Sequence, residues 1–475
     1  LTPQDPLGQD ALGQDFLGGI VVSQKEGRPC GITSVCSAHP LVIQAAVQQC
    51  LEDGQPLLVE STVNQVNQLG GYTGLTPRDF RAFVAGIAAK GGLPAERLLL
   101  GGDHLGPYSW RAEPAAAAMA RACELVAACV RAGYGKLHLD ASMPLGGDIA
   151  GGHGGQQPRG RLDPRLVAER EAEMAAAAEA AFAGLVSRGG RGSSSPVPPV
   201  YVIGTDVPLP GGTEVPEEGG EGGAEAGADG GGEAVAVTPV EELRQTFALC
   251  REAFARRHLE AAWGRVRAVV VQPGVEFGEG GVQEYDRRRA RKLCAAAREL
   301  PGIVLEGHST DYQRPEHLRQ LVEDGVAVLK VGPALSFAMR ECLFSLELIE
   351  REMLGGSYRR RLSELGSFLE KAMTDDPRHW QGYYRGSDTE KRLARRYSFS
   401  DRCRYYWTVP MVEQAVQRLL ANLRQSPPPL ALLSQFMPLQ YRKIREGRLA
   451  ARPEDLVRDG IREVLRGYSQ ALRAG

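Results

Sequence analysis

The sequence predicts an α/β chain: a (β/α)8 barrel with an appended C-terminal helical region. Three observations carry this expectation. Short, almost continuously apolar runs recur along the first two thirds of the 475 residues. Each is followed by an Ala/Leu-rich stretch of helical character, and that alternation gives a parallel sheet covered by helices. The runs also end in acids, amides and histidines, and barrel sites are assembled from the C-terminal ends of strands.

Taken in order, residues 1–18 read as a polar tail without the charged-then-apolar pattern of a secretory leader. The expected strands are QPLLVEST (55–62), RLLLGGDH (97–104), GKLHLDAS (135–142), PVYVIGTD (199–206), RAVVVQPG (267–274), GIVLEGHS (302–309) and VAVLKVGP (326–333). Amphipathic helices are expected at Arg78–Lys90, Ala115–Ala132 and Pro315–Glu323. Seven strands are clear and an eighth is poorly marked, so a closed barrel over 19–340 is favoured over an open doubly wound sheet. A Gly/Glu-rich, low-complexity insert at about 211–236 follows the fourth run, as a solvated excursion or a flap. From 341 to 475 the pattern is helical. Its aromatic and basic stretch, HWQGYYRGSDTEKRLARRYSFSDRCRYYW, is expected to pack against the barrel; stacking on single-stranded nucleic acid or sugar is the alternative.

Composition narrows the function. With 56 Lys and Arg against 58 Asp and Glu, the net charge of -2 argues against an extended nucleic-acid footprint. No apolar run approaches the ~20 residues of a membrane span. The nine cysteines include no CxxC and read as free thiols of a cytoplasmic protein.

Candidate chemistry sits at the strand tips. His104 and His308 each follow an acid at a strand end, and two imidazoles at matching tips suit a catalytic divalent metal. Gln272 or Glu276 would supply a further donor. Asp103 is a base candidate, provided that Gly101-Gly102 bulges the strand and turns the side chain inward. His138 and Asp140 share one face, whose direction the pattern leaves open, so His138 reads as a core or supporting residue. Glu60, Asn64, Gln68, Glu306, Asp311 and Lys330 complete the polar set, and Gly70-Gly71 offers backbone N–H groups to a phosphate.

The strings VNQVNQLGGYTGLTPRDF, LGGDHLGPYSW, KLHLDASM, VIGTDVPLPGG, VVVQPGVEF, EGHSTDYQ, LKVGPALSFAMRE, SDRCRYYW and SQFMPLQ run in order along nearly the whole chain. They resemble the Z-type subunit family of class II D-tagatose-1,6-bisphosphate aldolase. The resemblance implies a TIM barrel of the class II aldolase type, with Asp103 in proton transfer and His104 and His308 as ligands to zinc (or Mn, Ni or Co). Gln272 stands where the wider superfamily carries its remaining metal histidine, which argues against ordinary aldolase activity. The family's implied roles are a non-catalytic partner of an aldolase subunit, or a metal-dependent 4-epimerase of fructose and tagatose or their 6-phosphates. An older kinase label finds no GxxxxGK[ST] loop here. For the epimerase, Asp103 or Glu60 would start a retro-aldol opening, or Asp140 and Glu276 would act as opposed acid and base. The expected partners are a sugar or sugar phosphate, an aldolase subunit and further copies of the chain, with no nucleic acid and no membrane.

Overall fold

The computed structural model describes residues 15–148, 162–188, 196–204, 235–356 and 361–472. The expected insert lies outside the described residues except for 235–236, as do Thr205 and Asp206.

Eight parallel strands close into a barrel: β1 (Ile32–Val35), β2 (Leu57–Thr62), β3 (Leu98–Leu105), β4 (Lys136–Leu139), β5 (Val200–Ile203), β6 (Val266–Val271), β9 (Val304–Gly307) and β10 (Val326–Val331). A short antiparallel hairpin, β7 (Glu276–Phe277) and β8 (Val282–Gln283), lies in the chain between β6 and β9. The poorly marked strand is β1, whose four residues ITSV carry too few apolar positions to stand out. The helix Phe16–Lys25 takes the last three residues of the expected tail. Asp15 caps it, accepting from Gly18 N at 2.7 Å.

Strand alternation sorts the side chains into two cores. Outward residues such as Val59, Leu137, Ile203, Val269 and Leu305 pack with the surrounding helices. Inward residues Ile32, Leu58, Val200, Ala268, Val304 and Val328 cluster with Phe16, Leu17, Ile20 and Val21 of the first helix. Gln24 Nε2 donates to Cys30 O (2.6 Å) and Val322 O (2.9 Å), which seats that helix across the N-terminal end of the barrel.

One layer higher the interior changes from apolar to ionic. Lys136 Nζ lies 2.7 Å from Glu60 Oε1 and 2.8 Å from Glu306 Oε2. Lys330 Nζ lies 2.5 Å from Glu60 Oε2, 2.8 Å from Asp103 Oδ1 and 3.4 Å from Glu306 Oε1. Room for this set comes from Gly101 on the intervening strand. A Cβ there would sit 2.9 Å from Glu60 Cγ and 3.3 Å from Lys136 Cβ.

The helix Pro333–Leu354 runs through the expected boundary at 340, so barrel and C-terminal region share one element. The final helix, Pro453–Leu472, packs on it and on Pro40–Asp53 and Pro315–Glu323. Tyr468 Oη donates to Thr310 O at 2.7 Å, tying the chain's end to the loop after β9. Among the described residues, no helix is long and apolar enough to cross a membrane.

Gly101→Val is expected to destabilise the fold by about 1–3 kcal/mol through overpacking. A thermal melt should show a lowered midpoint; an unchanged midpoint would mean that the Glu60–Lys136 pair yields freely.

Candidate active site

The tip of β3 is bent out of regular strand geometry. Its pairing with β4 shifts register between Gly102 and Leu105, and His104 adopts φ 48. A left-handed non-glycine residue costs of order 1–3 kcal/mol, so the surroundings must hold it. They do: His104 N lies 3.1 Å from His138 Nδ1, and His104 Nδ1 lies 2.8 Å from Asp140 Oδ2. A Cβ on Gly102 would meet Leu105 Cδ1 at 2.5 Å, and one on Gly106 would meet Asp140 O at 1.7 Å. The glycines therefore permit the distortion that brings Asp103 and His104 together to the barrel mouth, as the bulge expectation required.

Three imidazoles converge there. The ring centroids lie 4.8 Å apart for His104 and His308, and 5.1 Å for His138 with each of the others. Buried ligand atoms of Asp103, His138, Glu306 and His308 all fall within 4.8 Å of one another. His138 Nε2 is buried without a hydrogen-bond partner. Burial pushes His308 down to about 3, leaving its ring neutral and able to offer a lone pair. Burial opposes charge on His104 as well, but Asp103 and Asp140 outweigh it and raise its pKa. Imidazoles and carboxylates gathered in this way could hold a divalent metal ion.

Asp103 links the three histidines to the ionic layer. Oδ1 lies 2.9 Å from His138 Nδ1 and 2.8 Å from Lys330 Nζ, and Oδ2 lies 3.6 Å from Cys36 Sγ. Burial resists its charge, yet Lys330 and His104 hold it well below the usual carboxylate range. Burial likewise works against charge on Lys330, but Asp103, Cys36, Glu306 and Glu60 keep it well above the ordinary lysine value. Lys330 is thus an ammonium, unfit as a Schiff-base nucleophile.

Sequence candidates divide between the pocket and its support. An open pocket is lined by Asp103, His104, His308, Lys330, Asn64 and Asp311. Glu60, Glu306 and Asp140 are buried behind these residues as pairing partners and do not line it. Gln272 is spent elsewhere: Oε1 accepts from Gly274 N (2.8 Å) and Val275 N (3.0 Å), closing the turn after β6. His138, which strand alternation had left undirected, stands with the other two histidines instead. Glu276 is buried in the hairpin, where Oε1 accepts from Phe277 N at 3.0 Å, away from the pocket lining.

Gln68, Gly70 and Gly71 stand outside the pocket lining. Gln68 Nε2 donates to Arg121 O at 3.0 Å, outside the pocket. Gly70 N and Gly71 N donate to Asn67 O (2.9 Å) and Asn67 Oδ1 (3.2 Å), so neither is free to cradle a phosphate. Gly71 has φ 55, and a Cβ would meet Gln65 O at 2.4 Å, so the pair serves a tight turn.

Cys36, Gln65, Tyr72, Arg404 and Tyr405 also line the pocket and were not singled out from the sequence. The last two come from the aromatic and basic stretch, most of which packs as expected; Trp380 and Tyr406 are buried there. Asp311, pushed up by burial to about 6, accepts from Gly332 N (3.0 Å) and Ala334 N (2.8 Å) at the start of Pro333–Leu354.

Residues 17–473 match the model of the family described as D-tagatose-1,6-bisphosphate aldolase subunit GatZ/KbaZ-like. A crystal structure described as a probable tagatose 6 phosphate kinase from Sinorhizobium meliloti 1021 is 41% identical, covering 93% of this chain and 100% of that one, with a TM-score of 0.78. More remote matches include the fructuronate-tagaturonate epimerase UxaE from Cohnella laeviribosi, at 12% identity over 93% of this chain and 81% of that one, TM-score 0.41. The YdjI aldolase from Escherichia coli K12 matches at 9% identity over 85% and 94%, TM-score 0.38. The chain belongs to the D-tagatose-1,6-bisphosphate aldolase subunit GatZ/KbaZ-like family and is, by that membership, an aldolase-related carbohydrate enzyme or subunit.

Proposed function

We propose that this chain is a metal-dependent epimerase acting at carbon 4 of ketohexoses or their 6-phosphates, interconverting the fructose and tagatose configurations. The observation that carries the reading is the convergence of three histidines around an ionised, pocket-facing Asp103. His138 and His308, whose ligand atoms cluster with those of Asp103 and Glu306, would hold the ion, and His104, its ring centroid 4.8 Å from that of His308, would be the third imidazole. When bound, a divalent ion supplies Lewis-acid polarisation of the ketose carbonyl. Zinc suits the nitrogen-rich set best, with Mn, Ni or Co as alternatives.

The chain's own groups account for the proton movements. Asp103 takes the proton from the carbon-4 hydroxyl, and the oxygen's electron pair becomes the aldehyde C=O. The bond between carbons 3 and 4 breaks with its pair left on carbon 3. After the aldehyde turns over, carbon 3 attacks its opposite face and Asp103 returns the proton to the carbon-4 oxygen. Lys330, 2.8 Å away, favours the ionised form of Asp103 before the first transfer and so favours return of the proton in the second. Direct proton abstraction by Asp140 and Glu276 loses support, because neither lines the pocket.

The rival reading is an inert subunit that stabilises a separate aldolase, a role that leaves the converging histidines without a task. Purified, metal-loaded chain is expected to convert fructose 6-phosphate to tagatose 6-phosphate unaided. A metal-free chain that is inert alone yet stabilises an aldolase would sink the epimerase. His138→Ala and His308→Ala should weaken metal retention by more than the about 10–100-fold cost of losing a supporting partner; Gln272→Ala should keep its metal. Metal analysis after dialysis reads the difference, and equal loss in all three variants would refute the ligand assignment. Asp103→Asn should retain metal while lowering kcat by about 10²–10⁴-fold; an unchanged kcat would remove Asp103 as the base.

A further inference from the structure

We infer that Arg404 is the anion-recognition residue of the pocket, and that it selects phosphorylated over free sugars. Arg404 is brought to the barrel mouth by the C-terminal region, on the turn Arg402–Tyr406. It lines the same pocket as Asp103, His104 and His308. Its hydrogen bonds go only to neutral oxygens: Nη1 to Ser400 O and to Asp401 O (3.1 Å), Nη2 to Tyr405 Oη (2.9 Å). The guanidinium also lies 4.5 Å over the Tyr405 ring.

Asp401 and Asp311 act on its charge from a distance, but no carboxylate among the described residues is in hydrogen-bonded or ion-pair contact with it, in contrast to the other cation on this wall. Lys330 is taken up by Glu60, Asp103 and Glu306. The side chain of Asp401, next to the turn, is committed to Ser336 Oγ (2.5 Å) and Arg340 Nε (3.2 Å). Asp311, the other acid lining the pocket, spends Oδ1 on two backbone N–H groups. Its position at the start of Pro333–Leu354 also matters. The N-terminus of a helix is a ready anion site, and here a carboxylate fills it. A phosphate entering this pocket must therefore find its countercharge elsewhere.

A permanently charged guanidinium without an acid partner, facing a cavity, is costly unless an anion joins it. A phosphate dianion suits it, because the planar fork binds tetrahedral oxyanions through two parallel N–H bonds. Asn64, Gln65 and Tyr72 line the same pocket and offer neutral donors beside it. The identity of the rest of the ligand as a ketose rests on the proposed function; the anion preference rests on the geometry of Arg404.

The test compares the metal-loaded wild type with Arg404→Gln and Arg404→Lys. Turnover of fructose 6-phosphate and of fructose is measured with kcat and KM separated. Loss of a charge-assisted hydrogen bond predicts an about 10–100-fold fall in the preference for the phosphorylated sugar, carried by KM, in Arg404→Gln. Arg404→Lys should recover part of it by restoring charge. An unchanged preference, or losses equal for both sugars, would overturn the assignment. Calorimetric binding of fructose 6-phosphate separates this inference from the reaction itself. If the chain turns over neither sugar, weaker binding in Arg404→Gln still supports the anion site, and unaltered binding refutes it.

Discussion

Glu60, Lys136, Glu306 and Lys330 come from four different strands and meet inside the barrel as buried ion pairs, with Asp103 joined to them through Lys330. Apolar side chains of similar volume would hold a barrel together at least as well, since taking charges out of water offsets much of their attraction. What the ions add is position and field. Glu306 touches His308 (3.1 Å), and Lys330 touches Asp103, so the layer orients the groups above it. Counting Asp140, four carboxylates face two ammonium groups, and Asp103 and Asp140 draw His104 toward its charged form.

Two further features convert that layer into a site. The break in β3 turns consecutive residues, Asp103 and His104, toward one cavity, at the expense of a left-handed histidine. The C-terminal region then closes around the mouth. Tyr468 holds the loop after β9 through Thr310, and Tyr312 Oη donates to Phe399 O at 2.6 Å. These contacts fasten the segment carrying His308 to the region that supplies Arg404. Pocket and appended helices are therefore one functional unit, although the two halves look compositionally separate.

The barrel was legible because buried parallel strands leave long apolar runs, and seven of them stood clear. Ile32–Val35 did not, since a four-residue strand with Ser and Thr carries little such signal. Asp103, His104 and His308 were readable from their strand-end positions, and the two glycines before Asp103 announced the bulge. His138 was harder. Period-2 alternation placed it on one face with Asp140 and left the direction of that face open; only the structure, which puts Lys136 of the same face between Glu60 and Glu306, settles it. Gln272 attracted attention as a polar strand-end residue, but a side-chain amide is equally suited to closing a turn, and that is its use. Arg404 lay in a stretch whose aromatic and basic residues mostly pack, and nothing local in the sequence separates the one that faces the cavity.

X-ray absorption spectroscopy on the zinc-loaded protein tests the central claim most directly. The account predicts a first shell containing three imidazole nitrogens at about 2.0–2.1 Å, reduced by one in His138→Ala. A shell of oxygen donors alone, or one unaltered by removal of His138, would contradict it.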